Sequence, residues 1–295
     1  MTNQINVMGV IGAGQMGAGI AEVAAQAGIE VVLSDVDRDI CERGLRRIAH
    51  NLDRSVARGR LEREAREQAL SRIRTTVELS DMRRADLVLE AVVEDESVKV
   101  ALFVELNRVC PPQVIFASNT SSISITRMGA RSGRAHRFIG IHFMNPAPVM
   151  KLVEIVRGLA TSDETYAVAQ ALVQHLGKVA ITAQDSPGFI VNRVLLPMIN
   201  EAVFALNEGI GGVADIDTGM RLGTNQPMGP LELADLIGLD TCLAVMEVLH
   251  KGLGEDKYRP CPLLKQYVDA GYLGRKTGRG FYRYDEQGNP VASSA

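Results

Sequence analysis

The stretch from residue 7 to residue 35 constrains the fold of this chain more than any other part of the sequence. An apolar run at 7–11 leads into Gly12-x-Gly14-x-x-Gly17, and a helical pattern then connects it to a second apolar run that ends on Asp35. Such glycines permit a tight turn and a close approach of the backbone to a pyrophosphate, while the new helix offers free N–H groups and the positive end of its dipole. The order predicts a βαβ unit that binds a dinucleotide through Gly12, Ala13, Gly14, Gln15, Met16, Gly17 and Asp35.

The residue that ends the second apolar run also bears on which dinucleotide binds. The carboxylate of Asp35 can accept both ribose hydroxyls, and its charge would repel a 2′-phosphate, which favours NAD. Arg38 lies three residues further on and could offset that repulsion. The sequence therefore predicts NAD as the cofactor, with NADP as the alternative.

The composition narrows the class of protein. With 295 residues, 46% of them apolar and 23% charged, the chain is long enough for two domains and typical of soluble globular proteins. A net charge of −3 gives no reason to expect a nucleic acid or a membrane as partner. The four cysteines lack the spacing of metal ligands, and the sequence contains neither a secretory signal nor an apolar run of 18 residues. We expect a cytoplasmic protein without a bound metal.

Apolar runs alternate with helical patterns over the first 156 residues. This alternation is typical of a Rossmann-type fold, in which helices cover both faces of a doubly wound parallel sheet. The predicted strands are 7–11, 31–33, 87–91, 114–118, 138–142 and 149–156, with an edge strand at 178–182.

A turn of sequence Asp-Ser-Pro-Gly-Phe at 185–189 marks the predicted boundary between two domains. Beyond it, apolar residues recur at helical spacing. We expect an N-terminal α/β dinucleotide-binding domain over 1–186, followed by a smaller all-α domain over 187–295 for substrate binding and dimerisation. A helical domain of this kind usually exposes a broad apolar face, so a homodimer is the predicted assembly.

Residues 38–74 form an arginine-rich region of helical pattern. It contains eleven arginines and no lysine against six acidic residues, so its local charge is +5 in a chain that is acidic overall. A solvated helical hairpin with paired charges would explain this composition. Because arginine binds phosphate in a bidentate manner, the region could instead be a docking surface for a second polyanionic ligand.

Three short polar signatures lie at or beside predicted strand ends, where open α/β sheets bind their ligands. The first is Ser-Asn-Thr-Ser-Ser at 118–122, the second is His142 beside an Asn-Pro turn, and the third is Glu154 within an apolar strand. The first could be only a helix cap, and His142 could be a satisfied core histidine. A buried carboxylate nevertheless needs a partner, and His142 is the nearby candidate with a tunable charge.

A histidine backed by a carboxylate next to a nicotinamide suits the interconversion of an alcohol and a ketone. Hydride leaves the carbinol carbon while the imidazole removes the hydroxyl proton, and the carboxylate stabilises the imidazolium that forms. Metal-assisted oxidation is the competing chemistry, but the sequence contains no cluster with ligand spacing.

Seven longer motifs follow one another over roughly residues 5–284. They are GxGxMGxGIA, LEAVVED, ASNTSSISI, HFMNPAPVMKLVEI, DSPGFIVNRVLLPMINEA, QPMGPLELADLIGLD and LGRKTGRGFYRYD. In this order they resemble the motifs of the L-3-hydroxyacyl-CoA dehydrogenase family, and within that family the chain is most similar to the stand-alone bacterial 3-hydroxybutyryl-CoA dehydrogenases.

The resemblance implies specific roles in the reaction. It makes His142 the general acid/base and Glu154 its partner. Ser121 would contact the 3-oxygen region of the substrate or the nicotinamide side, and Asn192 would hold the substrate carbonyl. The activity implied is an NAD-dependent (S)-3-hydroxyacyl-CoA dehydrogenase for short chains.

The resemblance also implies which residues hold the two ligands. For the acyl-CoA substrate it points to Asn51 and Arg58, inside the arginine-rich region. Glu94 and Lys99 fall among the implied cofactor contacts, although they could instead form an exposed ion pair of little consequence. The implied NAD contacts are the glycine loop, Asp35, Glu94, Lys99, Ser121, Asn145 and Lys276.

Two other functions remain open at this stage. A related sugar-acid dehydrogenase of the gulonate type would share the two-domain plan, but it would need no distant phosphate site. A non-catalytic NAD-binding protein would need no histidine–carboxylate pair.

Overall fold

A computed structural model describes residues 4–291 of the chain. It divides into two units, the first ending at Ser186 and the second beginning at Pro187. Among the described residues, no helix is both long and apolar enough to cross a membrane.

The first unit is built around one eight-stranded sheet with the spatial order β3-β2-β1-β4-β5-β6-β7-β8. Its strands are β1 (Val7–Ile11), β2 (Glu30–Ser34), β3 (Ile73–Thr76), β4 (Leu87–Glu90), β5 (Ile115–Ser118), β6 (Phe138–Phe143), β7 (Leu152–Arg157) and β8 (Val179–Gln184). Its helices are α1 (Gln15–Gln26), α2 (Arg38–Ala57), α3 (Arg63–Ser71), α4 (Glu96–Val109), α5 (Ile125–Arg131) and α6 (Asp163–His175). The predicted Rossmann-type architecture is confirmed.

Two features of the sheet differ from the prediction. β3 begins in the region interpreted as helical and pairs in parallel with β2 at the edge of the sheet. Because an edge strand is only partly buried, β3 does not need the continuous apolar run that would have revealed it. β7 runs antiparallel to β6. The connection of residues 144–151 explains this direction, because a parallel neighbour requires a crossover of a dozen or more residues. β7 also starts at Leu152 rather than at Val149, whose side chain is 72% exposed.

The glycine motif fixes α1 against β1. Gly12 has a φ of +101°, which favours glycine. A Cβ added to Gly17 would lie 1.7 Å from the carbonyl oxygen of Gly12, so only glycine lets the helix start this close to the strand. Behind this contact, α1 buries Ala18, Ile20 and Ala21 completely in the core.

The second unit is mainly helical, as predicted, and a two-stranded hairpin follows its helices. Pro230 occupies the first turn of its helix, where the missing N–H is harmless. The core between the helices includes Leu196, Leu231, Met246 and Leu249. The elements are α7 (Val191–Asn207), α8 (Val213–Gly223), α9 (Pro230–Ile237), α10 (Leu239–Leu253), α11 (Pro262–Asp269), β9 (Arg283–Tyr284) and β10 (Pro290–Val291).

Candidate active site

The carboxyl ends of the parallel strands bring the predicted polar signatures to one edge of the sheet. In the register of β1, β4 and β5, Ile11 pairs with Glu90 and Glu90 with Ser118, so these strands end at the same level. β6 runs parallel to β5 and carries His142 one residue before its end. Open α/β sheets bind their ligands at this edge.

His142 and Glu154 lie directly opposite each other in the antiparallel pair of β6 and β7. Opposite residues in such a pair point to the same face of the sheet, and the imidazole Nδ1 lies 2.7 Å from a carboxylate oxygen of Glu154. Glu154 is fully buried and His142 is 8% exposed. A carboxylate at Nδ1 favours the tautomer with its proton there, so Nε2 of the neutral ring carries the lone pair. The arrangement can take up a proton at Nε2 while a negative charge stabilises the imidazolium.

Glu94 holds the loop of residues 118–122 that leaves β5. One of its carboxylate oxygens accepts hydrogen bonds from the Thr120 hydroxyl, from the Ser121 backbone N–H at 3.1 Å and from the Ser122 hydroxyl at 2.9 Å. Burial opposes ionisation, but the Lys99 ammonium and the two hydroxyls outweigh it and lower the pKa of Glu94. Glu94 is therefore an anion that fixes the backbone at Ser121.

The structure gives Lys99 a different setting from the exposed ion pair considered as an alternative. Its side chain is only 1% exposed, and its ammonium lies between the carboxylates of Glu90 and Glu94, 3.2 Å from the latter. A third contact runs to the carbonyl oxygen of Val92 at 3.3 Å. These contacts place Lys99 behind Glu94, where it supports that carboxylate; its implied contact with the cofactor stays a prediction.

Asn119 connects the same loop to the strand that carries His142. Its side-chain oxygen accepts a hydrogen bond from the backbone N–H of Phe143 at 2.8 Å, and its own N–H donates to the carbonyl of Glu90 at 2.9 Å. The ends of β4, β5 and β6 are thereby joined at the level of the imidazole.

The glycine loop fits the pyrophosphate of a dinucleotide. A Cβ added to Gly14 would meet no atom within 4 Å, so the space above the loop is open. The first turn of α1 has neither a side-chain cap nor an acidic residue, which leaves its N–H groups and dipole for an anion. The residues of this chain thus suit NAD on physical grounds.

Asp35 and Asn145 flank the glycine loop. Asp35 follows β2 and accepts hydrogen bonds from the backbone N–H groups of Ala13 and Val36, each at 2.7 Å. The side chain of Gln15 donates to Asn145 at 3.0 Å. Asn145 belongs to the connection between β6 and β7, so this contact ties the loop to the segment that follows His142.

The two residues implied in acyl-CoA binding lie in the last two turns of α2 and at its end. Asn51 belongs to α2, and Arg58 directly follows its last residue, Ala57, as the C-cap. The amide nitrogen of Asn51 donates to the buried carboxylate of Glu22 at 2.9 Å, while Arg58 is exposed at the helix end. Other arginines of the region form ion pairs, such as Arg66 with Asp53 at 3.0 Å. The ion pair of Arg66 fits the interpretation as a helical hairpin with paired charges, while the docking surface stays a prediction.

The two remaining predicted residues belong to the second unit. Asn192 lies in the first turn of α7 and is partly buried. The ammonium of Lys276 contacts both carboxylate oxygens of Asp240, at 2.6 and 2.7 Å. Their roles as ligand contacts stay predictions.

Sequence reasoning assigned no individual role to two residues that organise the edge, Glu90 and Asn119, although Asn119 belongs to the predicted signature at 118–122. Glu90 was detectable, because it ends the buried run Leu-Val-Leu-Glu in the same way that Glu154 interrupts its own buried strand. The contact of Asn119 with Phe143 depends on the register of neighbouring strands and has no local signal.

A Rossmann sheet with an open glycine loop and an imidazole–carboxylate pair at its carboxyl edge defines a dinucleotide-dependent oxidoreductase. The 3-hydroxyacyl-CoA dehydrogenase NAD-binding domain matches residues 7–186, and the C-terminal domain of the same enzymes matches residues 188–284. The chain belongs to the 3-hydroxyacyl-CoA dehydrogenase family. The predictions of the family, of NAD as cofactor and of an NAD-dependent oxidoreductase are confirmed.

Similar proteins match along nearly the whole chain. A 3-hydroxybutyryl-CoA dehydrogenase of Bradyrhizobium diazoefficiens is 57% identical over 284 residues, covering 96% of this chain and 97% of that protein. A probable 3-hydroxybutyryl-CoA dehydrogenase of Bacillus subtilis is 52% identical, with coverages of 96% and 99%. The crystal structure of (S)-3-hydroxybutyryl-CoA dehydrogenase from Ralstonia eutropha has a TM-score of 0.94 at 49% identity, covering 96% of this chain and 100% of that one.

Proposed function

We propose that this protein is an NAD-dependent (S)-3-hydroxyacyl-CoA dehydrogenase that interconverts short-chain substrates such as 3-hydroxybutyryl-CoA and acetoacetyl-CoA. The observation that carries the proposal is the imidazole of His142, 2.7 Å from the buried carboxylate of Glu154, at the carboxyl edge of the sheet. The 3-hydroxybutyryl-CoA dehydrogenases that match nearly the whole chain support the substrate class.

The residues of this chain provide the proton transfer of the reaction. Bound NAD supplies the acceptor for the hydride from carbon 3 of the substrate. In the oxidative direction, Nε2 of His142 removes the proton of the 3-hydroxyl group, and Glu154 stabilises the resulting imidazolium. In the reductive direction the imidazolium returns this proton to the 3-oxygen.

The loop of residues 118–122, the serine loop, positions further groups at the same site. Because Glu94 fixes the backbone N–H of Ser121, the Ser121 side chain starts from a defined position next to the strand of His142. We assign it the contact with the 3-oxygen region or the nicotinamide side. Asn192 is assigned to the substrate carbonyl on the family resemblance alone.

The arginine-rich region at the end of α2 supports coenzyme A rather than a sugar acid as part of the substrate. Asn51 lies in α2 and Arg58 is its C-cap residue, and a guanidinium is suited to bidentate phosphate contacts. A sugar acid offers no phosphate for this region to bind.

We also propose a homodimer. Three apolar side chains of the second unit, Val194, Ile210 and Leu222, are 68–82% exposed. Contact between two copies of the chain would remove such side chains from water, which favours association. Light scattering after size-exclusion chromatography should give twice the chain mass of 31.9 kDa, and a monomer at micromolar concentration would contradict the assembly.

A substrate panel tests the proposed activity. Purified protein is assayed for NADH oxidation with a chain-length series of 3-ketoacyl-CoA thioesters. It is also assayed for NAD reduction with 3-hydroxybutyryl-CoA and with gulonate. Each assay is repeated with NADPH or NADP in place of NADH or NAD. We expect the highest kcat/KM with acetoacetyl-CoA and NADH. Turnover of gulonate without turnover of any thioester would replace this function, and NADH binding without any turnover would favour a non-catalytic role.

A further inference from the structure

Glu90 is a fully buried carboxylate that has no role in the proposed reaction. It is the last residue of β4, with 0% exposure, and it forms an ion pair with the ammonium of Lys99, which is 1% exposed. Replacing a buried ion pair by apolar residues of similar size is often neutral or stabilising, so stability alone is a weak explanation for such a pair. The contacts of Glu90 indicate what else the pair does.

The carboxylate of Glu90 joins two neighbouring loops at the carboxyl edge. One oxygen accepts from the backbone N–H of Val92 at 2.7 Å, in the loop that follows β4, and also from Lys99. The other accepts from the hydroxyl of Ser118 at 2.7 Å, and the Ser118 oxygen in turn accepts from the N–H of Thr120 at 3.2 Å. The start of the serine loop is therefore tied to the loop after β4.

Lys99 extends the same connection to the rest of the serine loop. Its ammonium bridges Glu90 and Glu94, and Glu94 accepts from Thr120, from the N–H of Ser121 and from Ser122. Both halves of the loop are consequently held by one chain of charged groups that starts at Glu90.

We propose that Glu90 is a positioning residue, which through Lys99 and Ser118 holds Glu94 and the 118–122 loop in the geometry that binds NAD. This inference rests on the proposed roles of Glu94 and Ser121 as cofactor contacts. Hydrogen bonds that position a ligand-binding carboxylate matter for affinity even though they do not touch the ligand, as in the outer shells of metal sites.

The Glu90→Gln variant tests the role because glutamine is isosteric and lacks the charge. Its oxygen can still face Val92 and Lys99, which are both donors, while its amide nitrogen faces Ser118; the hydroxyl proton of Ser118 then loses its acceptor. We expect a folded protein whose Kd for NADH, measured by fluorescence titration without acyl substrate, is raised about tenfold, the effect of one charged hydrogen bond. An unchanged Kd in the folded variant would overturn the proposal.

A double-mutant cycle with Glu94→Gln separates positioning from an independent effect. If Glu90 acts through Glu94 and its loop, the double variant binds NADH little more weakly than the worse single variant. Effects that multiply would overturn the proposal. If Glu94→Gln weakens NADH binding and Glu90→Gln does not, the cofactor role of Glu94 stands and only the positioning role of Glu90 fails. If neither substitution changes Kd, both roles fail.

Arg134→Lys is the matched control for loss of stability. Arg134 is 5% exposed and donates to the carbonyl oxygens of Pro111 and Val114, at the opposite end of β5 from Ser118. We expect this variant to lower the Tm and to leave the Kd for NADH unchanged. Should Glu90→Gln fail to fold, Ser118→Ala cuts the same connection, and we expect it to raise the Kd about threefold to tenfold; a wild-type Kd there would overturn the inference.

Discussion

Gly14 and Gly17, at the start of α1, should respond differently to substitution by alanine. A Cβ at Gly17 would lie 1.7 Å from the carbonyl oxygen of Gly12, whereas a Cβ at Gly14 would meet no atom within 4 Å. Gly17→Ala is therefore expected to destabilise the fold without any ligand. Gly14→Ala is expected to leave the fold intact and to weaken cofactor binding.

The magnitude for Gly17→Ala follows from the displacement that it forces. Contacts of a Cβ under 3.0 Å are essentially never observed, so the helix must move by about 3.0 − 1.7 = 1.3 Å. That movement disturbs the packing of α1, whose Ala18 and Ala21 are fully buried. Overpacking costs about 1–3 kcal/mol, and a clash with a backbone atom that cannot rotate away belongs at the upper end of that range. After the gain of about 1 kcal/mol in helix propensity is subtracted, we expect a net loss of about 2 kcal/mol, which is a fall in Tm of roughly 4–8 °C.

The magnitude for Gly14→Ala is small in the free protein. Gly14 is the N-cap of α1 with φ −67° and ψ −165°, a conformation that alanine adopts, so we expect a loss of about 1 kcal/mol or less. The added methyl group occupies the open space above the helix N-terminus, and the Kd for NADH should rise about tenfold or more.

Thermal unfolding by circular dichroism and NADH fluorescence titration measure both effects. Wild-type stability of Gly17→Ala, or wild-type affinity of Gly14→Ala for NADH, would refute these expectations. The two variants serve as controls for each other, because both replace glycine by alanine and the two positions are only three residues apart.

Two further predictions concern the region around α2. Burial raises the pKa of Glu22 despite the hydrogen bond from Asn51, so the folded state penalises the ionised carboxylate once the pH rises above about 4.5. Glu22→Gln should therefore raise the Tm at pH 7 and change it less at a pH where the carboxyl is protonated, and a lower Tm at pH 7 would contradict this. Arg58→Ala should raise the KM for acetoacetyl-CoA about threefold to tenfold but not the KM for the truncated thioester acetoacetyl-N-acetylcysteamine. The control is Arg46→Ala, which should change neither KM, because the Arg46 side chain pairs with Glu42. Equal changes for both thioesters in Arg58→Ala would show that Arg58 does not bind coenzyme A.

Local signals account for the parts of the fold that the sequence predicts. The glycine motif works within one turn, so the βαβ unit can be inferred from Gly12 to Asp35 without knowing the rest of the chain. By contrast, β3 has no continuous apolar run, and its place at the sheet edge follows from pairing with β2. The antiparallel direction of β7 was missed although the short connection before it gave a usable signal.

The candidate site was predictable where the argument was about burial. A carboxylate at Glu154 in an apolar strand requires a partner, and the structure places His142 directly opposite it. The setting of Lys99 was not predictable, because its spacing from Glu94 fits an exposed pair equally well. Only the tertiary structure shows that Lys99 is buried and bridges Glu94 to Glu90.

The role of His142 is the central claim of the account, and one comparison of kcat tests it most directly. His142→Gln is measured in acetoacetyl-CoA reduction beside His136→Gln, an exposed histidine just before the other end of the same strand. We expect His142→Gln to lower kcat at least about a hundredfold with little change in the Kd for NADH, and His136→Gln to match the wild-type protein. A kcat for His142→Gln within a few-fold of wild type would contradict the account.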